Sequence, residues 1–228
     1  MTATQPGSKV TQRAAGLVLC GGASRRMGHS KAELPFGSES MLARMIRLLE
    51  QAVEPVIVVC AVEQRLPPIP DQIQIATDRR PDQGPLEGIA SGLSALADRA
   101  DVVFAAACDL PLLTPEFVNR VIELLGDHDA AVPVVDGYYQ PLAAAYRTSR
   151  VLPNLESMLA AGQRQTCDLF DRVKTRQIPK EEFEDVDPHG WYLRNCNHPD
   201  DYLQALAFAG FSVDPQIRAS LSNEAGAG

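Results

Sequence analysis

The sequence predicts an α/β fold, a three-layer sandwich with a mostly parallel sheet between two helical layers. Two observations lead there. Short apolar runs recur up to Val135, most of them without polar alternation, which is how strands covered on both faces look. Between them lie amphipathic stretches of helical period, and strand–helix alternation at this spacing builds parallel βαβ units. With 228 residues, 45% of them apolar, the chain is long enough for one large domain with a sizeable core.

Residues 1–13 (MTATQPGSKVTQR) are polar and aperiodic and read as a flexible arm. The apolar runs follow as Ala15–Cys20, Pro55–Ala61, Gln72–Ala76, Asp101–Cys108 and Ala130–Val135. Gln72–Ala76 is the one that alternates, so it is expected nearer a sheet edge. In SMLARMIRLLEQA, Met41, Leu42, Met45, Ile46, Leu48 and Leu49 share a face, with Ser38 or Ser40 as cap. In PLEGIASGLSALAD, Ile89, Leu93 and Leu96 do the same. TPEFVNRVIELLG carries its own boundaries: Thr114 as N-cap, Pro115 at the first helical position, Glu116 on the positive end of the dipole and Gly126 as stop. Past Gly137, YYQPLAAAY reads as an extended segment near the site end. A helix near 150–161, a short one near 167–172, a strand around VKTRQI and a closing helix in HPDDYLQALAF follow. One domain over 14–210 and a frayed tail over 211–228 complete the reading.

Composition excludes several classes. A formal net charge of -8 argues against a nucleic-acid surface, which needs a basic face. The first apolar run is short and ends in Gly21-Gly22 instead of a cleavage-type sequence, so no secretory leader is read. No run reaches the roughly 18 apolar residues of a membrane helix. Five scattered cysteines, an odd number with no zinc-type spacing, fit buried thiols in a reducing cytoplasm.

Against that acidic background, LVLCGGASRRMGHSK gathers Arg25, Arg26 and Lys31 directly after the first strand. Ligands of open α/β sheets bind beyond the carboxyl ends of the strands. Gly21 and Gly22 let backbone amides approach an anion, and the three cations add donors. The adjacent glycines do not fit G-x-G-x-x-G, and Lys31 stands too far from Gly28 for G-x-x-x-x-G-K-[ST]. The long loop suits a triphosphate. Three further strand ends support it. CDLP places Asp109 after a buried strand, a natural Mg²⁺ ligand beside phosphates. IATD places Asp78 after another. GPLEGI opens a helix with Gly84, Pro85 and Gly88, whose amides could face the ligand.

These segments, with QPLAAAY and RNCNHPDDY after them, resemble the molybdenum cofactor guanylyltransferases, in the same order and over about Gly16 to Leu206. The resemblance implies a Rossmann-like sandwich of the nucleotide-diphospho-sugar-transferase type. It implies transfer of GMP from GTP to molybdopterin or its molybdenum form, with Mg²⁺, and release of pyrophosphate. By the same resemblance Leu19, Cys20, Gly21 and Gly22 line the nucleotide, Lys31 contacts phosphate with Arg25 or Arg26 assisting, and Asp78 lies near base and ribose. Asp109 holds Mg²⁺ and nucleotide, while Asn195 and Asn197 fall where the pterin is held. Proteins that deliver the pterin or receive the cofactor are implied partners. Two positions depart from the family pattern: Cys60 stands where Asn is common near the guanine, and His198 replaces a threonine, reading as a helix-entry residue.

Transfer to an α-phosphorus asks for positioning and charge neutralisation. An acceptor phosphate monoester has a second pKa of about 6 and needs no general base. His29, His128, His189 and His198 form no base constellation. The alternatives are a molybdopterin cytidylyltransferase or sugar- or polyol-phosphate nucleotidyltransferase of the same fold, and a non-catalytic nucleotide-binding protein.

Overall fold

In the computed structural model, residues 12–21, 30–80, 83–215, 217, 218 and 221 are described. The elements in chain order are β1 (Ala14–Cys20), a 3₁₀ turn (Lys31–Glu33), the short strands β2 (Pro35–Phe36) and β3 (Glu39–Ser40), α1 (Met41–Glu50), β4 (Val56–Cys60), β5 (Gln74–Thr77), α2 (Pro85–Ala95), β6 (Val102–Ala107), α3 (Pro115–Leu125) and β7 (Ala130–Val135). Then come β8 (Tyr138–Tyr139), β9 (Ala143–Arg147), α4 (Thr148–Ala160), a 3₁₀ stretch (Thr166–Asp171), β10 (Thr175–Pro179), a second 3₁₀ turn (Lys180–Glu182) and α5 (Pro199–Phe208).

The main sheet runs β10-β7-β9-β6-β1-β4-β5, with β8 on β7. The pairs β4–β5, β1–β4, β1–β6 and β7–β10 are parallel, and β9 is antiparallel to both its neighbours. β5 lies at the edge, as its alternation predicts. The segment YYQPLAAAY splits in two. Asp136 and Gly137, with φ of 51° and 81°, form the two-residue reversal that hairpins favour and return the chain as β8. β9 then inserts between β6 and β7. α4 begins at Thr148, two residues before the expected start, with no loop after β9.

Period-2 alternation sends the strands into two cores. Val18, Val58, Phe104 and Ala106 pack with Leu42 and Met45 of α1 and Phe117 and Val121 of α3. Leu17, Leu19, Ile57, Val59 and Val103 pack with Ile89 and Leu93 of α2 and Leu155 of α4. The caps are those of the sequence reading: Ser40 Oγ accepts from Ala43 N–H (3.2 Å), Thr114 Oγ1 accepts from Phe117 N–H (3.3 Å), and Gly126 ends α3 at φ 50°. α2 comes unusually near β1. A Cβ on Gly88 would stand 2.6 Å from Leu19 Cδ2, and one on Gly92 2.4 Å from Leu17 Cδ2, so bare glycine is what permits the approach.

A third, smaller core joins Leu34, Phe36, Met41 and Leu112 to Cys196, Tyr202 and Leu206. It fastens α5 to the segment after Lys31, and Tyr202 Oη donates to the Pro35 carbonyl. Part of the tail lies within the described residues. Phe211 meets Phe36 edge to face at 5.5 Å and Leu221 is buried in this same core, because the apolar face of α5 and Phe36 still have surface to cover. The arm expectation for 1–13 falls almost wholly outside the described residues; Arg13, at its end, is tied to Asp101 through its N–H (3.1 Å).

Candidate functional site

The register of the parallel strands builds one edge of the molecule. Cys20 of β1 pairs with Cys60 of β4, which pairs with Thr77 of β5. On the other side Leu19 pairs with Ala107 of β6, and Cys108 N–H donates to the Leu19 carbonyl (3.0 Å). Cys108, Cys20, Cys60 and Thr77 therefore form a row at the carboxyl ends. One residue further along each chain stand Asp109, Gly21, Ala61 and Asp78. Three inter-strand steps separate Asp109 from Asp78, roughly 14 Å at about 4.8 Å per step. The chain runs from β1 outward to β4 and β5, then crosses back to β6 on the opposite side of β1. Such a switch point opens a crevice for ligand.

At the β6 end three distant segments meet. Lys31 Nζ donates to Asp109 Oδ2 at 2.7 Å and to Asn197 Oδ1 at 2.6 Å. Both members of the ion pair are largely shielded, with side-chain exposures of 18% and 14%. The Asp109 carbonyl accepts from Cys196 N–H (3.0 Å), which locks the C-terminal segment to the strand end. His198 precedes the first turn of α5, and Asp201 Oδ2 accepts from its N–H (2.8 Å), so the helix-entry reading of His198 holds.

The β5 end is different. Asp78 N–H donates to the Cys60 carbonyl (3.0 Å), but Asp78 Oδ1 is buried with no hydrogen-bond partner among the described residues. Burial, and then the nearby charge of Glu87, hold its carboxyl above the usual range. Glu87 itself is fully buried. Its carboxylate accepts from Arg79 N–H (3.2 Å), Arg79 Nε (3.3 Å), Arg80 Nη1 (2.9 Å) and Ser91 Oγ (3.0 Å). Burial pushes its pKa up, but the hydrogen bonds from Arg80 and Ser91 and the charges of both arginines outweigh it and leave it lowered. Arg79 and Arg80 reach on to Glu156 of α4 (2.6 and 3.4 Å), so the backbone beside Asp78 is clamped to two helices.

The floor between the ends is thiol-lined. Burial raises the Cys60 thiol and, after a hydrogen bond with Cys20, that of Cys108; burial pushes Cys196 up to about 12. All stay neutral thiols near pH 7 and offer an apolar surface. Cys60 Sγ lies 3.9 Å from the Ala76 carbonyl.

Of the residues singled out in the sequence, Lys31, Asp109 and Asn197 come together, Asp78 stands at the far end of the row, and Leu19 and Cys20 are buried beneath it. Gly21 is exposed at the end of β1, and Gly84, at φ 69°, opens α2. Gly88 lies inside α2 against Leu19, where it serves close packing. Asn195 borders a pocket beside Asn197. Gly22, Arg25 and Arg26 lie outside the described residues. Sequence reasoning missed Glu87, whose signal was an acid in an otherwise apolar helix start. Among the described residues no group of three or more His, Cys, Asp or Glu side chains forms a metal cage. Asp109 offers a single carboxylate, which suits Mg²⁺, an ion that takes one or two carboxylates and completes its shell with water and phosphates.

Comparison with known proteins settles the kinship. The MobA-like NTP transferase domain matches residues 16–175. This chain belongs to the MobA-like NTP transferase family. A probable molybdenum cofactor guanylyltransferase of Mycobacterium avium is 36% identical over 199 residues, covering 86% of this chain and 95% of the relative. Its counterpart in Carboxydothermus hydrogenoformans is 31% identical over 193 residues, with 83% and 93% covered. Among solved structures, the molybdopterin-guanine dinucleotide biosynthesis protein A of Archaeoglobus fulgidus superposes with a TM-score of 0.71 at 24% identity, covering 86% of this chain and 98% of that one. This MobA-like chain therefore has the expected nucleotide-diphospho-sugar-transferase fold, with the antiparallel β9 set in an otherwise mostly parallel sheet.

Proposed function

We propose that the chain transfers GMP from GTP to the terminal phosphate of molybdopterin, or of its molybdenum form, and releases pyrophosphate. The observation that carries this is the meeting of Lys31, Asp109 and Asn197, one residue from each of the three motifs that the reaction needs: phosphate loop, strand-end carboxylate and acceptor segment. The guanylyltransferase names of relatives that match over most of their length support guanine over cytosine.

In this reading the nucleotide lies along the row of strand ends. The base and ribose sit toward Asp78, whose buried free oxygen is an acceptor waiting for a donor. Gly21, Gly22, the Gly84 end of α2 and the backbone of Leu19 and Cys20 bring amides and carbonyls to the ligand, while Gly88 keeps α2 close. The phosphates reach Lys31 and Asp109, with Arg25 of the same loop assisting. Mg²⁺ held by Asp109 would neutralise triphosphate charge. Lys31 stabilises negative charge as it shifts toward the pyrophosphate oxygens, and its bond to Asn197 holds the acceptor side in line with it. No side chain need remove a proton, because the acceptor phosphate is already largely dianionic near neutral pH, its second pKa being about 6. Asn195 and Asn197 receive the pterin. Four of the five free cysteines are buried, which fits a reducing cytoplasm, and no helix among the described residues is long and apolar enough to cross a membrane. Proteins that deliver the pterin or accept the product are the proposed partners.

The test is pyrophosphate release with GTP, CTP, ATP or UTP, each with and without molybdopterin. Release is expected from GTP and only with the acceptor present. A preference for CTP would establish the cytidylyltransferase alternative, and nucleotide binding without release would establish a non-catalytic binder.

A further inference from the structure

A pocket of about 430 Å³ opens beside Asn197, bordered by Trp191, Arg194, Asn195, Asn197, His198 and Gln204. That volume lies within the roughly 300–1,000 Å³ of small-molecule sites. Its walls are built, not incidental. Asp187 is buried and accepts from the N–H groups of Trp191 (2.9 Å) and Tyr192 (3.0 Å), fixing the turn that presents the indole. The Trp191 ring stacks on Phe208 of α5 at 4.5 Å and 22°. The Arg194 guanidinium lies over the same indole, its carbon 4.2 Å from the centroid.

The charges in this pocket are unevenly used. Asp201, the carboxylate in its wall, is engaged by the backbone N–H groups of Asn197 (3.1 Å) and His198 (2.8 Å). Arg194 is exposed, and among the described residues its guanidinium has no ion pair or hydrogen bond. A guanidinium set over an aromatic ring can keep edge donors free, and that fork matches the oxygens of a phosphate or carboxylate. Through its 2.6 Å bond to Asn197, Lys31 links the border of this pocket to the Asp109 corner.

We propose that Arg194, carried on Trp191, is the cation that binds the anionic pterin phosphate ester in this pocket. The proposal rests on the GMP-transfer reading and deepens it: Asn195 and Asn197 supply neutral hydrogen bonds, and Arg194 supplies the charge that draws an anionic acceptor onto an acidic protein.

Trp191 is the single tryptophan of the chain, so its fluorescence reports on this pocket alone. Titration with molybdopterin is expected to quench it, while GTP is not. In Arg194→Ala the acceptor concentration at half-quench and the KM for molybdopterin both rise about tenfold or more, the KM for GTP is unchanged, and Arg194→Lys recovers only part of the loss. Unchanged acceptor binding in Arg194→Ala, or GMP transfer with no quench at all, would overturn the proposal. Should the wild type bind molybdopterin at Trp191 yet transfer nothing, the reading of the reaction fails while the pocket assignment stands.

Discussion

Asp109 and Asp78 occupy equivalent places, each just past the end of a parallel strand, β6 buried and β5 at the edge, and their surroundings are opposite. Asp109 is ion-paired with Lys31 and bound through its carbonyl to the C-terminal segment. Asp78 has a buried oxygen that nothing described satisfies and a pKa raised by burial and by Glu87. One corner supplies its own counter-charge, and the other holds an unmet acceptor at a cost to the fold. A buried polar group without a partner is destabilising, and such groups persist where a ligand completes them. The row is thus asymmetric: at one corner Lys31 already neutralises Asp109, and at the other Asp78 offers an unmet acceptor; under the proposed function the first faces the phosphates and the second the base.

That contrast can be broken at either corner. The largest effect is expected at Asp109. Asp109→Ala should abolish metal-dependent GMP transfer while the melting profile stays native, since Lys31 retains Asn197 and part of its solvent access. Near-normal turnover by the folded variant would remove Asp109 from the mechanism. A smaller change in rate is expected at the other corner. Asp78→Asn keeps the shape but removes the charge, and the KM for GTP should rise about tenfold, the size of a lost charge-assisted hydrogen bond. The smallest effect, and the sharpest in sign, is on stability. A carboxyl with a raised folded pKa favours the fold while it is protonated, and that advantage is lost as pH rises through the folded pKa. Above the folded pKa its charge is a net cost, so there Asp78→Asn should leave Tm unchanged or raise it. A lower Tm with a normal KM for GTP would mean that Asp78 is structural.

The two corners also differed in how readable they were. Lys31 and Asp109 stand out in the chain because each follows a run that can only be a buried strand. The link from Lys31 to Asn197 spans 166 positions and has no local signature. It depends on the small core of Leu34, Phe36 and Tyr202, whose pairing no periodicity reveals. Glu87 was opaque for another reason. An acid in the first turn of a helix normally faces water and the dipole, and only the convergence of Arg79, Arg80 and Ser91 lets it be buried. The direction of β9 was equally hidden, because Ala143, Ala144 and Ala145 are small on both faces and carry no alternation. The helix caps and the edge position of β5 were legible because they follow from one or two residues each.

The proposed cradle has a polarity, base toward Asp78 and phosphates toward Asp109. A crystal structure with GTP and Mg²⁺ tests it directly. The nucleoside is expected against Asp78 and the α2 start, with Lys31 moved from Asp109 onto phosphate. A nucleotide lying the other way along the strand ends, or one that leaves Asp78 Oδ1 without a partner, would contradict it.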